Sequence, residues 1–175
     1  MNTNIEPANP REPSSSKESI GTIEAEIRKH PFLKDLSPHQ YRLLEDNGMQ
    51  VHFRKGEAIF RQGDPANRFY LLQHGRVAIE AWLPGQGKAI IQTLSGGDIL
   101  GWSWMFPPYY WQFSARAVEP TDAIFIYGTP LREECEDDHE LGYQLMKRSA
   151  QVMVGRLQAT RRRLVGPPQA WTAGI

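Results

Sequence analysis

A strongly aromatic stretch of this chain holds the residues best suited to bind a small molecule. Residues 102–113 carry seven aromatic side chains, three of them tryptophans. Aromatic faces stack on flat or apolar molecules, and neighbouring hydroxyl and amide groups can add hydrogen bonds. The predicted ligand-binding residues lie within positions 101–113: Gly101, Trp102, Ser103, Trp104, Trp111, Gln112 and Phe113.

The sequence around these residues predicts a short helical turn, then a loop, then a strand. Glycines and an aspartate at 96–98 form a turn, two prolines break the middle, and the strand is expected to begin near Phe113. No acidic or basic side chain lies between residues 98 and 116. Residues 96–117 are named the aromatic segment below. Because the first N–H groups of a helical turn have no partner within the helix, this turn is a candidate site for a small anion.

The composition indicates an ordinary soluble domain. The chain has 175 residues, with 20 lysines and arginines against 20 aspartates and glutamates, so its formal net charge is zero. A neutral protein has no general attraction to nucleic acid or to an anionic membrane. The single cysteine, Cys135, cannot form an intramolecular disulfide and fits a reducing compartment. No apolar run approaches the roughly 18 residues of a membrane-spanning helix, and the N-terminus lacks the apolar core of a secretory signal, so we expect a cytoplasmic protein.

The chain divides into four predicted regions. Residues 1–20 are rich in proline and serine and hold little to bury, which predicts a disordered tail. Residues 21–136 are expected to form a strand-rich domain with two helices at its start. Residues 137–165 are expected to form one long helix, and residues 166–175 a flexible tail.

Two helices are predicted before the strands. The first begins near Thr22 and ends at His30, because a proline follows at the next position. The second begins after Ser37, which suits an N-cap with proline in the first helical position. Gly48 is expected to close this second helix.

Short strands separated by glycine turns are predicted between residues 49 and 126. Apolar runs alternate there with turns that contain glycine, proline or aspartate, about every ten residues. Such spacing is typical of an antiparallel sandwich or roll. The predicted fold class is therefore mainly β with flanking helices (α+β), as an antiparallel β-roll or jelly roll with N-terminal helices and a long C-terminal helix.

The predicted C-terminal helix carries an apolar seam. Acidic residues at 137–138 suit the start of this helix, and arginines at 161–163 suit its end. The seam recurs at alternating spacings of four and three, which is typical of a coiled coil: Met146, Ala150, Met153, Leu157, Thr160 and Leu164. We predict a homodimer through residues 146–164. The alternative is one broad apolar face packed against the helix's own domain.

Three motifs carry a resemblance to a known family. Their sequences are GEAIFRQGD at 56–64, FYLL at 69–72 and HGRV at 74–77. These glycines at tight turns, with paired apolar residues between them, strongly resemble the cyclic nucleotide-binding domain of the catabolite activator and fumarate-nitrate regulator families and of protein kinase A regulatory subunits. The resemblance covers residues 30–164. It implies a β-roll with a ligand pocket beneath a C-terminal helix, which in the bacterial regulators also forms the dimer.

The aromatic segment departs from that family where the family holds its ligand. In the family a Glu accepts the ribose hydroxyl and an Arg neutralises the cyclic phosphate, whereas here Trp102 and Trp111 stand at these positions. Each charge-assisted contact to a buried anion contributes about 1.5–3 kcal/mol. Losing both weakens binding on the order of a hundredfold or more, so tight binding of cyclic AMP by the usual contacts is not expected.

Three hypotheses remain open for the aromatic segment. In the first, its tryptophans line a pocket for a flat or apolar ligand other than a cyclic nucleotide. In the second, the side chains fill the pocket themselves and leave a scaffold dimer that works by protein contact. In the third, cyclic AMP or cyclic GMP still binds, held by stacking, by main-chain N–H groups and by Ser103 and Gln112. No cofactor is predicted beyond such a ligand.

A stand-alone regulatory module is expected rather than an enzyme or a DNA-binding protein. The five histidines are scattered and never two residues apart, unlike the metal ligands of β-roll cupin enzymes, so no metal site is expected. Cys135 lies among acidic residues that disfavour its thiolate. Residues 166–175 are too few for the helix-turn-helix with which the family's transcription factors continue. The predicted output is therefore a signal to a partner protein.

Overall fold

Residues 18–85 and 87–165 are described by a computed structural model. The predicted N-terminal tail lies outside the described residues up to Lys17, and the predicted C-terminal tail lies wholly outside them. Helix α1 spans Glu18–Lys29, so the last three residues of the predicted tail are helical. The helix starts earlier than expected because weak local propensity is readily overridden when a helix packs on a domain.

A capping box starts the second helix, in agreement with the predicted N-cap. A short 3-10 helix (Pro31–Leu33) follows α1, and α2 spans Pro38–Asp46. The Ser37 hydroxyl accepts a hydrogen bond from the Gln40 main-chain N–H (3.2 Å), and the Gln40 side chain accepts one from the Ser37 N–H (3.0 Å). These bonds satisfy N–H groups that a helix start leaves without partners. Gly48 does not close this helix, because it already belongs to the first strand.

Within the described residues, eight strands form two four-stranded antiparallel sheets, which confirms the predicted β-roll. The strands are β1 Gly48–Phe53, β2 Ala58–Phe60, β3 Arg68–His74, β4 Arg76–Leu83, β5 Gly87–Ser95, β6 Ile99–Leu100, β7 Ser114–Ala117 and β8 Thr121–Tyr127. The first sheet has the order β1-β8-β3-β6, and the second has the order β2-β7-β4-β5. The two-residue strand β6 was not predicted, because so short an element shows no alternation of polar and apolar residues.

The first sheet separates two hydrophobic cores. The core between the two sheets includes Ala123 and Phe125 of β8. The neighbouring Ile124 and Ile126 point the opposite way, into a second core beneath the helices. Both faces of this strand are therefore buried at these positions, which explains the run of consecutive apolar residues there.

Two helices complete the described chain where one was predicted. Helix α3 spans Gly128–Asp137, and α4 spans His139–Val165. The Asp138 carboxylate accepts hydrogen bonds from the Leu141 N–H (2.9 Å) and the Gln40 side chain (3.1 Å), and these bonds hold the pKa of Asp138 below its ordinary value. Asp138 caps α4, so the acidic pair expected to start one long helix lies at the junction of two.

Helix α4 is buried along one face and exposed along another. Leu141 and Leu145 lie in the core beneath the helices, whereas Val154 and Leu157 expose 52% and 71% of their surface. The second half of α4 therefore presents apolar side chains at the surface of the single chain. Of the helices described, none has the length and apolar character needed to cross a membrane.

Candidate functional site

The aromatic segment begins with a left-handed glycine and a short helical turn. Strand β6 is followed by Gly101, whose φ is 93°, and then by a 3-10 helix at Trp102–Met105. The predicted helical turn is therefore present, with three residues per turn rather than 3.6. The left-handed residue lets the chain leave the strand and enter the turn without an intervening loop.

Gly101 is needed for packing as well as for its backbone conformation. A Cβ atom at this position would lie 2.8 Å from Cζ3 of Trp111. The Trp111 side chain is buried, with 4% of its surface exposed. Its ring stacks on Phe60, with 3.9 Å between ring centroids and 12° between ring planes. The indole is thus held between a glycine and a phenylalanine ring.

Replacing Gly101 with alanine is expected to destabilise the fold more than the same change at Gly63. Both glycines are left-handed, with φ of 93° and 89°, so each alanine costs about 1–2 kcal/mol of unfolding free energy in backbone strain. Gly63 has open space around it, whereas at Gly101 the new methyl group meets Trp111, which adds about 1–3 kcal/mol. Urea denaturation measures both losses, and equal losses in the two variants would contradict this packing role of Trp111.

A cavity of about 430 Å³ lies between the aromatic segment, the β-roll and α4. Six of the seven predicted ligand-binding residues line it: Gly101, Trp102, Ser103, Trp111, Gln112 and Phe113. The roll and the helix supply other walls, among them Phe60, Leu100, Met153, Leu157 and Thr160. The volume falls within the range of about 300–1,000 Å³ that is usual for small-molecule sites, which are likewise lined mainly by apolar side chains.

Trp104, the seventh predicted residue, lies in the protein core instead of the cavity. Its side chain is 3% exposed, and its ring stacks on Phe69 with 5.2 Å between centroids. Its carbonyl oxygen accepts a hydrogen bond from Arg132 of α3. The prediction of Trp104 as a ligand contact is therefore corrected. Residues two apart on a 3-10 helix point to different sides, so the turn that places Trp102 at the cavity buries Trp104.

The sequence matches a known family over about half of its length. A family profile described as "Cyclic nucleotide-binding domain" matches residues 50–138. The chain belongs to this family. The resemblance predicted from the glycine-turn motifs is thereby confirmed.

Regulatory proteins are among the relatives of this cyclic nucleotide-binding domain. A cAMP-dependent protein kinase regulatory subunit from Schizosaccharomyces pombe is 33% identical over 78 residues, which cover 45% of this chain and 18% of that protein. A CRP-like cAMP-activated global transcriptional regulator from Mycobacterium tuberculosis is 26% identical over 133 residues, which cover 76% of this chain and 58% of the regulator. The chain thus spans less than two thirds of either relative. Both names describe regulatory proteins, in agreement with the expectation of a regulatory domain rather than an enzyme.

Solved structures of the same family share the fold. A protein from Geobacter metallireducens GS-15, assigned as cyclic nucleotide-binding, is 27% identical with a TM-score of 0.69, covering 79% of this chain and 98% of that one. A cyclic nucleotide-binding domain from Methylobacillus flagellatus is 20% identical with a TM-score of 0.70, covering 89% of this chain and 87% of that one. The similarity to the second structure shows a shared fold and nothing more.

One charged side chain lines the cavity of this cyclic nucleotide-binding domain. Arg156 of α4 lies at the cavity wall and donates a hydrogen bond to the Ile99 carbonyl oxygen. Among the described residues that line the cavity, no other side chain carries a charge. Sequence reasoning missed Arg156, because it belongs to a different element and meets the aromatic segment only in the folded chain.

Arg116, at the end of the aromatic segment, is held outside the cavity. Its Nε donates a hydrogen bond to Glu80 (3.1 Å), and its Nη1 donates one to the Gly56 carbonyl oxygen (2.7 Å). Glu80 lies on β4, and Gly56 lies just before β2. Arg116 therefore joins β7 to both of its neighbours in the second sheet instead of facing the cavity.

A metal cluster and an activated cysteine were the two features considered for catalysis, and neither is found among the described residues. The described part of the chain contains no cluster of His, Cys, Asp or Glu side chains suited to a metal ion. Burial, together with nearby carboxylates including that of Asp138, raises the pKa of the Cys135 thiol to about 11. At neutral pH this thiol is protonated and is a poor nucleophile. Cys135 therefore has the properties of a structural residue.

Proposed function

We propose that this chain is a small-molecule-sensing regulatory module whose ligand occupies the cavity between the aromatic segment and α4. The observation that carries the proposal is the cavity itself, about 430 Å³, with walls from both elements. A ligand in this place touches both elements at once, so its binding favours one position of the turn Trp102–Met105 relative to α4. The ligand is flat and largely apolar, because most of the surrounding side chains are aromatic or aliphatic.

In this proposal, tryptophans replace the charged residues that usually contact a cyclic nucleotide. By resemblance, the Glu and Arg that hold the ribose and the cyclic phosphate correspond to Trp102 and Trp111. The Trp111 ring stacks on Phe60 and closely approaches Gly101, so an uncharged ring occupies the place of the cation. Loss of two charge-assisted contacts weakens cyclic AMP binding on the order of a hundredfold or more.

Cyclic AMP is the second candidate ligand, because both sequence relatives are named for cAMP. Stacking on Trp102 and hydrogen bonds from Ser103 and Gln112 would hold it in the same cavity. The scaffold hypothesis, in which the pocket is self-filled, requires that the aromatic side chains leave no space. The remaining cavity of about 430 Å³ argues against that hypothesis.

The proposed module is a homodimer formed through residues 146–164 of α4. Val154 and Leu157 are exposed neighbours on this helix, and adjoining exposed apolar residues mark association surfaces. Of the predicted seam, Met153, Leu157 and Thr160 line the cavity, and the Leu164 side chain lies outside the described part of the chain. A ligand that contacts Met153 and Leu157 lies directly beside the proposed dimer face. We propose that the resulting change passes to a partner protein in the cytoplasm.

Titration of intrinsic tryptophan fluorescence with two ligands tests the proposed function. N-phenyl-1-naphthylamine is a flat, neutral, apolar probe, and cyclic AMP is the ligand named for the relatives. Trp102 and Trp111 line the cavity, so occupancy changes their emission. We expect saturable micromolar binding of the probe and no saturation by cyclic AMP below millimolar concentration. Micromolar binding of cyclic AMP would support the second candidate instead, and binding of neither molecule would contradict the sensing function.

A further inference from the structure

Arg156 places a positive charge at the wall of an otherwise uncharged and mainly apolar cavity. Its Nη2 donates a hydrogen bond to the Ile99 carbonyl oxygen. Among the described residues, the ion pairs within 4.0 Å do not include Arg156. Asp98 acts on it electrostatically from beyond that distance, and the Asp98 carboxylate accepts a hydrogen bond from the Ser95 N–H at 2.8 Å. The guanidinium therefore has a neutral main-chain partner but no ion-pair partner.

A largely buried cation without an ion-pair partner in contact is unfavourable, because its desolvation is not fully offset. Burial accordingly lowers the pKa of the Arg156 guanidinium, which nevertheless stays charged at neutral pH because its ordinary value is so high. A guanidinium has five N–H donors in a planar fork, and the Ile99 carbonyl uses one of them. The remaining donors suit the oxygens of an acidic group.

We propose that Arg156 binds the acidic group of the ligand, so that the cavity takes a flat apolar molecule with a carboxylate, sulfonate or phosphate at one end. This inference rests on the proposed function and names the chemical class of the ligand. Trp102, Phe113 and Met153 cover the apolar body of the molecule. The positive charge belongs to a side chain of α4 and not to the aromatic segment. The acidic group of the ligand therefore contacts the same helix that forms the proposed dimer.

Two fluorescent probes with one skeleton separate the contribution of the charge from that of the apolar body. 8-Anilino-1-naphthalenesulfonate carries a sulfonate on the skeleton of N-phenyl-1-naphthylamine, which is neutral. Displacement of each probe by the other shows whether both occupy one site. Arg156→Gln removes the charge and keeps a polar side chain, whereas Arg156→Lys keeps the charge with fewer donors and without the planar fork.

We expect Arg156→Gln to weaken binding of the sulfonate probe at least about tenfold, which is about 1.4 kcal/mol, and to change the affinity of the neutral probe by less than about twofold. Retained binding of the neutral probe also shows that the variant is folded. Arg156→Lys is expected to give an intermediate loss for the sulfonate probe.

Equal changes for the two probes in Arg156→Gln, or an unchanged affinity for the sulfonate probe, would overturn the assignment of Arg156. Binding of the neutral probe alone to the unaltered chain would overturn this assignment and leave the proposed function standing. Binding of neither probe to the unaltered chain would overturn the proposed function and this inference together.

Discussion

Replacing Trp104 with alanine is expected to lower the free energy of unfolding by about 3–5 kcal/mol. The side chain is almost fully buried and stacks on Phe69. It also packs on Gly128 at the start of α3, where a Cβ atom would lie 3.0 Å from Cε3 of the indole. The shorter side chain leaves a cavity in the core beneath the helices, and the turn of the aromatic segment loses its contact with α3.

Trp102→Ala is the matched control, because Trp102 begins the same 3-10 helix but is partly buried at the cavity. We expect a smaller loss of unfolding free energy, about 1–2 kcal/mol, together with weaker binding of N-phenyl-1-naphthylamine. Urea denaturation followed by circular dichroism measures the stability of both variants without depending on the tryptophan that is removed. Equal destabilisation of the two variants would contradict the assignment of one tryptophan to the core and the other to the cavity.

The double change Val154→Glu, Leu157→Glu is expected to convert the proposed dimer into a monomer. Both positions are strongly exposed in the single chain, so the change costs the monomer little. In a dimer through α4 the new carboxylates would be buried in an apolar interface, where an unpaired charge is strongly unfavourable. We expect the dissociation constant to rise at least about a hundredfold, as measured by sedimentation equilibrium over a series of concentrations.

Gln151→Glu, Gln158→Glu is the control for this charge change. Both glutamines are exposed on α4 and follow a seam position by one residue, on the side of the helix away from a coiled-coil seam. We expect this variant to remain a dimer. The proposed dimer is wrong if the unaltered chain sediments as a monomer throughout the series, or if the two double variants dissociate to the same extent.

Structural elements whose conformation is set by a few neighbouring residues could be predicted from the sequence. The cap at Ser37 and the glycine turns between the strands follow from backbone preferences that act over a few residues. Helix α3 could not be predicted in this way, because Gly128 and Pro130 near its start are typical of turns. The helix forms because Leu131 is fully buried and Trp104 packs against Gly128, and such tertiary contacts override weak propensities.

The part of the cavity wall that the aromatic segment forms could be predicted from the sequence. Six of the residues expected from the aromatic segment line the cavity, since the single connection between β6 and β7 carries all of them. The sequence does not show which way each side chain of a 3-10 turn points, so Trp104 was placed wrongly. Arg156 reaches the cavity only because α4 folds back over the roll, and no local pattern indicates that contact.

Binding of N-phenyl-1-naphthylamine to Thr160→Trp tests most directly whether a ligand occupies the cavity between the aromatic segment and α4. Thr160 lines the cavity from α4, so an indole at this position takes up space that the ligand needs. Thr93→Trp adds the same ring at an exposed position of β5 that does not line the cavity. Relative to the unaltered chain, we expect at least about a tenfold loss of affinity in Thr160→Trp and no change in Thr93→Trp. An unchanged affinity in Thr160→Trp, or an equal loss in both variants, would contradict a ligand site in this cavity.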